Sequence, residues 1–323
     1  MSRRAAWVKI VAAAGFVALI GCFYIVGRYF GVESRVEGHL ASAIASLALA
    51  LAPYWAFGFG FDGFLRARLK SRAVRILAPA ALISSYLAFT IPRGEFRWEM
   101  CVGMVAVFIA IPVLLDTSVA APSWRDWVAL AVLGIAVDLH VFDRAWPVPG
   151  LSAMPKLLFV DVGLYGYLVI RPIGGVGFDF AARLNDFRNG LREFLWFTPI
   201  ALVFGLATGF LHVHATAASP VWFGAGWLFT LFFVAIPEEL FFRGLMLNLM
   251  ERRMGTRWAL VASSVLFGLA HFNKRAKYFN WRYVVLAAIA GGFYGRAWLR
   301  ERRLLASSIT HATVDTVWSI WLR

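Results

Sequence analysis

The chain has 323 residues, of which 61% are hydrophobic and 15% charged, with a formal net charge of +14. Its mean hydropathy of +0.70 lies far from a soluble globular balance and excludes a soluble enzyme. The basic surplus points to anionic lipid headgroups rather than nucleic acid, because Lys and Arg cluster in short loops beside apolar runs.

In chain order, apolar runs stand near residues 10–27, 40–61, 76–92, 100–115, 127–142 and 151–170, then near 194–213, 221–236, 258–272, 283–299 and 304–322. A spanning helix needs ~20 such residues, and unbroken runs fit helices rather than a barrel. The expected fold class is therefore all-α, a polytopic transmembrane bundle of about ten apolar helices, some short or re-entrant. Arg3, Arg4 and Lys9 place the N-terminus in the cytoplasm of what reads as a bacterial cytoplasmic membrane. Arg66, Arg68, Lys70, Arg72 and Arg75 return the chain there after two spans, and the basic segment 171–192 lies inside again. After residue 250 the bias stops deciding. Loops built on Arg252, Arg253 and Arg257, on Lys274, Arg275, Lys277 and Arg282, and on Arg300, Arg302 and Arg303 cannot simply alternate sides.

The first 190 residues carry little chemistry. Cys22 ends "LIGC", which looks like a lipoprotein cleavage box, but the apolar run continues through "FYIV" and reads better as a first spanning helix. Cys22 and Cys101 offer neither a disulfide ladder nor a metal quartet. Asp138, His140 and Asp143 end an apolar run, where charge is cheap. The stretch "RPIGGVGFDFAARLNDFRNGLREF" is the one plausible boundary. It divides a transmembrane region over 1–190, ending in a cytoplasmic linker, from a region over 191–323 in which ionisable residues fall inside apolar segments.

Buried charge is expensive there unless paired or wet. In "FFVAIPEELFFRGLMLNLM", Glu239 and Arg243 are i and i+4 and can pair, whereas Glu238 points about 100° away and needs a partner from elsewhere. Pro237 either opens a helix or kinks a longer one. An ion-paired knot between spans would need only one carboxylate. In "LFGLAHF", Phe267 and His271 lie one turn apart, a setting that also suits a hydrogen-bonded interfacial histidine. In "SSITHATVDTVWS", Ser307, His311, Asp315 and Ser319 form one polar stripe, where Asp315 can orient His311 or the stripe can glue helices together. His212 and His214 diverge on a helix and suit a loop.

The order Glu-Glu-x-x-x-Arg, Phe-x-x-x-His, His-x-x-x-Asp resembles the CAAX protease and bacteriocin-processing (CPBP, or Abi) family of glutamic intramembrane endopeptidases. The resemblance covers about residues 194–323. It implies that Glu238, as general base, and His271 activate a water, that His311 with Asp315 stabilises the oxyanion, and that Glu239, Arg243 and Phe267 support the site. One departure stands out: the CAAX-processing branch has Asn where this chain has Asp315, and an ionised aspartate cannot donate to an oxyanion. Asp315 is then either protonated or an orienter of His311. The implied partners are membrane lipids and a membrane-associated or lipid-anchored protein substrate, with C-terminal sorting tails of exported proteins as an alternative. No cofactor is implied.

Other chemistries fit less well. There is no His-Glu-x-x-His, although one glutamate and two histidines could hold zinc on ligand types alone. Asp62 in "GFGFDG" and Asp179 in "GVGFDF" sit in loops with an extra residue before the Asp, unlike an intramembrane aspartyl site. A non-enzymatic scaffold, immunity protein or carrier with a polar intramembrane cavity is the competing class.

Overall fold

The computed structural model describes residues 3–29, 31–117, 121–148, 151, 153–274 and 279–322. Arg275 and Lys277 of the second basic loop lie outside them. Every regular element among the described residues is helical. The chain divides into two compact units, Met1–Ile173 and Gly174–Arg323.

The first unit contains α1 (Arg3–Tyr29), α2 (Leu40–Gly58), α3 (Ile83–Arg93), α4 (Trp98–Leu115), α5 (Trp124–Asp138) and α6 (Ala153–Tyr165). Apolar composition drives them into helices because the hydrocarbon core offers no other partner for backbone N–H and C=O groups. α6 is the interior helix of the unit: its span Ala153–Ile170 is 78% buried, against 11% for Trp7–Tyr29. Cys22 is exposed on α1. His140 Nδ1 lies 2.8 Å from Asp143 Oδ2 in an exposed turn after α5, and Asp62 pairs with Arg66 at 2.6 Å.

The second unit contains α7 (Leu184–Ala207), α8 (Pro220–Thr230), α9 (Ile236–Glu239), α10 (Asn248–Leu269), α11 (Trp281–Glu301) and α12 (Leu304–Trp321). Pro220 at the first position suits α8, since its missing N–H would be unpaired there anyway. Between α8 and α10 the helix is continuous but widened, with π-type turns at Leu231–Ala235 and Leu240–Leu247 on either side of the Pro-Glu-Glu of α9. Pro237 has no N–H to give to the preceding turn, so the ladder must adjust around it. Gly255, at φ 76° and ψ 163°, then breaks α10 within the basic 252–257 stretch.

Seven helices among the described residues are long and apolar enough to cross a membrane, where the sequence suggested about ten. The difference has physical causes. α5 has only 15 residues. The runs near 221–236 and 258–272 lie within Pro220–Leu269, which the non-helical Gly255 divides in two, and the part beyond Gly255 is too short to span by itself. α11 and α12 are diluted by arginines and by the polar stripe.

Most of the 171–194 stretch packs within the second unit. Leu304 N–H donates to the Gly177 carbonyl at 2.9 Å. Arg303 donates to Asp179 at 2.6 Å and to Asp186 at 2.7 and 2.9 Å, so Asp179 is a structural partner at the start of α12. α7, α11 and α12 pack on one another, and α10 packs along α11.

Candidate active site

The charged residues singled out in the second unit converge on its interior. Glu239 and Arg243 are both 0% exposed. Arg243 Nη1 donates to Glu239 Oε1 at 3.0 Å, the i,i+4 pair legible in the sequence, and Nη2 donates to the Gly291 carbonyl of α11 at 2.9 Å. The guanidinium also lies 4.5 Å from the centre of the Phe267 ring. A buried cation thus finds one carboxylate, one carbonyl and an aromatic face, which together offset the loss of water.

Glu239 does more than pair with Arg243. Ser307 Oγ of α12 donates to Glu239 Oε2, and His311 Nδ1 lies 2.9 Å from Oε1. A carboxylate can only accept, so the Nδ1 proton of His311 points at Glu239. The other ring nitrogen, Nε2, then faces Asp315 Oδ2 at 3.4 Å and Glu238 Oε2 at 3.9 Å. Neither distance is that of a tight hydrogen bond. Glu238 and Asp315 keep 16% and 34% of their side chains exposed, whereas His311 keeps 3%.

His271 follows α10. Its Nδ1 lies 2.8 Å from the Phe267 carbonyl, which can only accept, so this nitrogen carries the proton and Nε2 presents a lone pair. Gly268 sets this turn against α11: a Cβ there would stand 2.4 Å from the Val284 carbonyl oxygen. Phe267 contacts both histidines, with ring centres 4.9 Å from His271 and 5.7 Å from His311. The resemblance pairs Glu238 with His271 through a water; in the structure His311 Nε2 also lies 3.9 Å from Glu238 Oε2.

Tyr294 on α11 was not anticipated. Its ring stacks on His311 at 4.7 Å and 16°. One tyrosine in an apolar helix carries no local signal, because its partner lies on another helix. Gly291 joins the cluster for the same reason, and Ser307, already on the polar stripe of α12, joins it through Glu239. Ser319, by contrast, bonds to the Thr316 carbonyl of its own helix. His212 and His214 lie in an exposed segment after α7, where His214 N–H donates to the Trp321 carbonyl.

Beside the cluster is a cavity open on one side. His271, Tyr294, His311 and Asp315 stand on its wall, and residues such as Phe197, Leu202, Leu286 and Val314 line the rest. The cavity is therefore an apolar trough with two histidines and one carboxylate at one place on its surface. Among the described residues, no group of three or more His, Cys, Asp or Glu is arranged to hold a metal ion.

Residues 220–317 match the family model described as type II CAAX prenyl endopeptidase Rce1-like. A search of curated proteins and a search of solved structures each returned no match.

Proposed function

We propose that this multi-pass membrane protein, whose residues 220–317 match the Rce1-like CAAX prenyl endopeptidase family model, hydrolyses a peptide bond of a membrane-associated or lipid-anchored protein by a glutamic mechanism. The family match supports protease activity in general; the glutamic mechanism, the residue roles and the substrate are our reading. The observation that carries it is the arrangement around His311. Its Nδ1 is held by the buried Glu239, and its Nε2 faces Glu238 and Asp315 beside an apolar cavity.

In this mechanism Glu238, the less buried glutamate, takes a proton from a water whose oxygen attacks the scissile carbonyl carbon. The same proton goes to the leaving amine nitrogen as the C–N bond breaks. General base and acid work of this kind contributes about 10²–10⁴-fold. His271 presents its Nε2 lone pair as the second group acting on the water. His311, when protonated at Nε2, donates to the oxyanion, and Asp315 balances and orients it. This role suits an ionised Asp315, which cannot itself donate. Arg243 and Phe267 hold Glu239 and the two histidines in register. The apolar trough would take the lipid anchor or the apolar side chains of the substrate. We place the N-terminus on the cytoplasmic side of a bacterial membrane, from the charge bias alone.

The test is hydrolysis in proteoliposomes of a prenylated CAAX-type peptide and, in parallel, of a peptide ending in an apolar sorting tail, with products read by mass spectrometry. Cleavage of either by the wild type, lost in Glu238→Gln, supports the reading. No cleavage of either, with cellular function surviving His271→Ala and His311→Ala, would leave the scaffold or carrier class.

A further inference from the structure

Away from the histidines, a second charge cluster lies between α7 and α11. Glu193 is 0% exposed. Arg192 Nη2 donates to its Oε1 at 2.7 Å, Arg296 Nε lies 3.2 Å from Oε2, and Arg300 Nε lies 4.0 Å from Oε1. Three guanidinium groups thus share one carboxylate. The neighbouring arginines are matched differently: Arg302 is met by Glu251 at 2.7 Å, and Arg303 by Asp179 and Asp186. Glu301, the nearest other acid in sequence, accepts from Asn189 at 3.1 Å. Positive charge exceeds negative around Glu193, since three arginines face that one carboxylate.

The surplus is presented outward. Arg296 and Arg300 keep 50% of their side chains exposed and Arg192 keeps 32%. Each guanidinium has five N–H donors; Arg192 spends one on Glu193, while Arg296 and Arg300 are drawn to the carboxylate by charge and keep their donors for an incoming anion. Arg192 continues into an outward stripe on α7 at helical spacing, formed by Trp196, Ile200 and Val203, which are 61%, 43% and 72% exposed. A tryptophan one turn from a basic cluster, with aliphatic side chains beyond it, is the order met on passing from the headgroup layer into hydrocarbon.

We propose that this cluster is a binding site for one anionic phospholipid. Its phosphate sits on Arg192, Arg296 and Arg300, and its acyl chains run along Trp196, Ile200 and Val203. Planar guanidinium forks match phosphate oxygens bidentately, and basic pockets between membrane helices are where anionic headgroups are held. The site is independent of the hydrolytic reading.

The test uses the full chain in detergent micelles, with native mass spectrometry for retained lipid and thermal melts with added phosphatidylglycerol, phosphatidylcholine or inorganic phosphate. Phosphatidylglycerol should be retained and should raise the melting temperature, and phosphatidylcholine should do neither. In the double variant Arg296→Gln/Arg300→Gln its affinity should fall roughly 30-fold. Arg257→Gln, an exposed arginine elsewhere in the unit, should bind it as the wild type does. Equal retention of the two lipids by the wild type overturns the proposal, and that comparison needs no variant to fold. Stabilisation by inorganic phosphate equal to that by the lipid would overturn the lipid assignment. A uniform loss in the double variant and in Arg257→Gln would show only diffuse attraction and would overturn the site.

Discussion

His311 Nδ1 lies 2.9 Å from Glu239 Oε1, the same oxygen that accepts from Arg243 Nη1 at 3.0 Å. One buried carboxylate thus ties the histidine of α12 to the arginine one turn along its own chain segment. Removing it strands a buried guanidinium, which costs about 3–5 kcal/mol. Glu239→Ala is therefore expected to lower the melting temperature markedly and to abolish cleavage. Glu239→Gln, which keeps the volume and one acceptor, should melt closer to the wild type. Melts of purified protein in detergent check this, and a Glu239→Ala variant as stable as the wild type would contradict the pairing.

Glu238 is expected to behave in the opposite way. It keeps 16% of its side chain exposed, whereas Glu239 keeps none, so less buried charge is stranded when it is neutralised. Glu238→Gln should leave the melting temperature nearly unchanged while lowering the rate of hydrolysis about 10²-fold or more. Retained hydrolysis in a folded Glu238→Gln protein would remove the general-base role.

The ring of Tyr294 fixes the plane of His311 by stacking at 4.7 Å. Tyr294→Phe keeps that ring and should retain most activity. Tyr294→Ala opens a cavity against His311, with a stability cost of about 3–5 kcal/mol and a lower rate of hydrolysis. Equal activity in the two variants, at a temperature where both are folded, would show that the stack does not position the histidine.

Gly268 admits no side chain, because an added Cβ would stand 2.4 Å from the Val284 carbonyl oxygen and 2.7 Å from the Ala288 Cβ. Backbone cannot swing aside as a flexible side chain does, so Gly268→Ala should cost about 1–3 kcal/mol. It should also shift His271, three residues on. The expected readout is a lowered melting temperature together with a fall in kcat, measured on the same preparation.

Hydrolysis should survive prolonged treatment with a strong chelator, if the water is activated by side chains alone. Loss of activity that zinc restores would instead assign His271, His311 and a carboxylate to a metal.

Much of this site was legible before any coordinates. Glu239 and Arg243, and His311 and Asp315, are i,i+4 pairs, and helical periodicity places such residues on one face in any context. Glu238 was legible as the odd carboxylate for the same reason. Its neighbour was not: Glu238 and His311 lie on different helices, and no spacing rule spans that distance. The helix count differed because α5 is short and because arginines and the polar stripe dilute α11 and α12. Pro237 only widens the helix into π-type turns, whereas Gly255 breaks it.

What the sequence determined by itself is the medium, the helical class and the face of each helix that carries charge, because hydropathy and a period of about 3.6 residues are local properties. What the tertiary structure alone decided is which faces meet. Ser307, His311 and Arg243 share Glu239, Gly291 lends Arg243 its carbonyl, and Tyr294 lies flat on His311. These contacts join helices far apart in the chain, and their geometry is set by how α10, α11 and α12 cross. Side-chain packing settles that crossing, and no stretch of sequence encodes it locally.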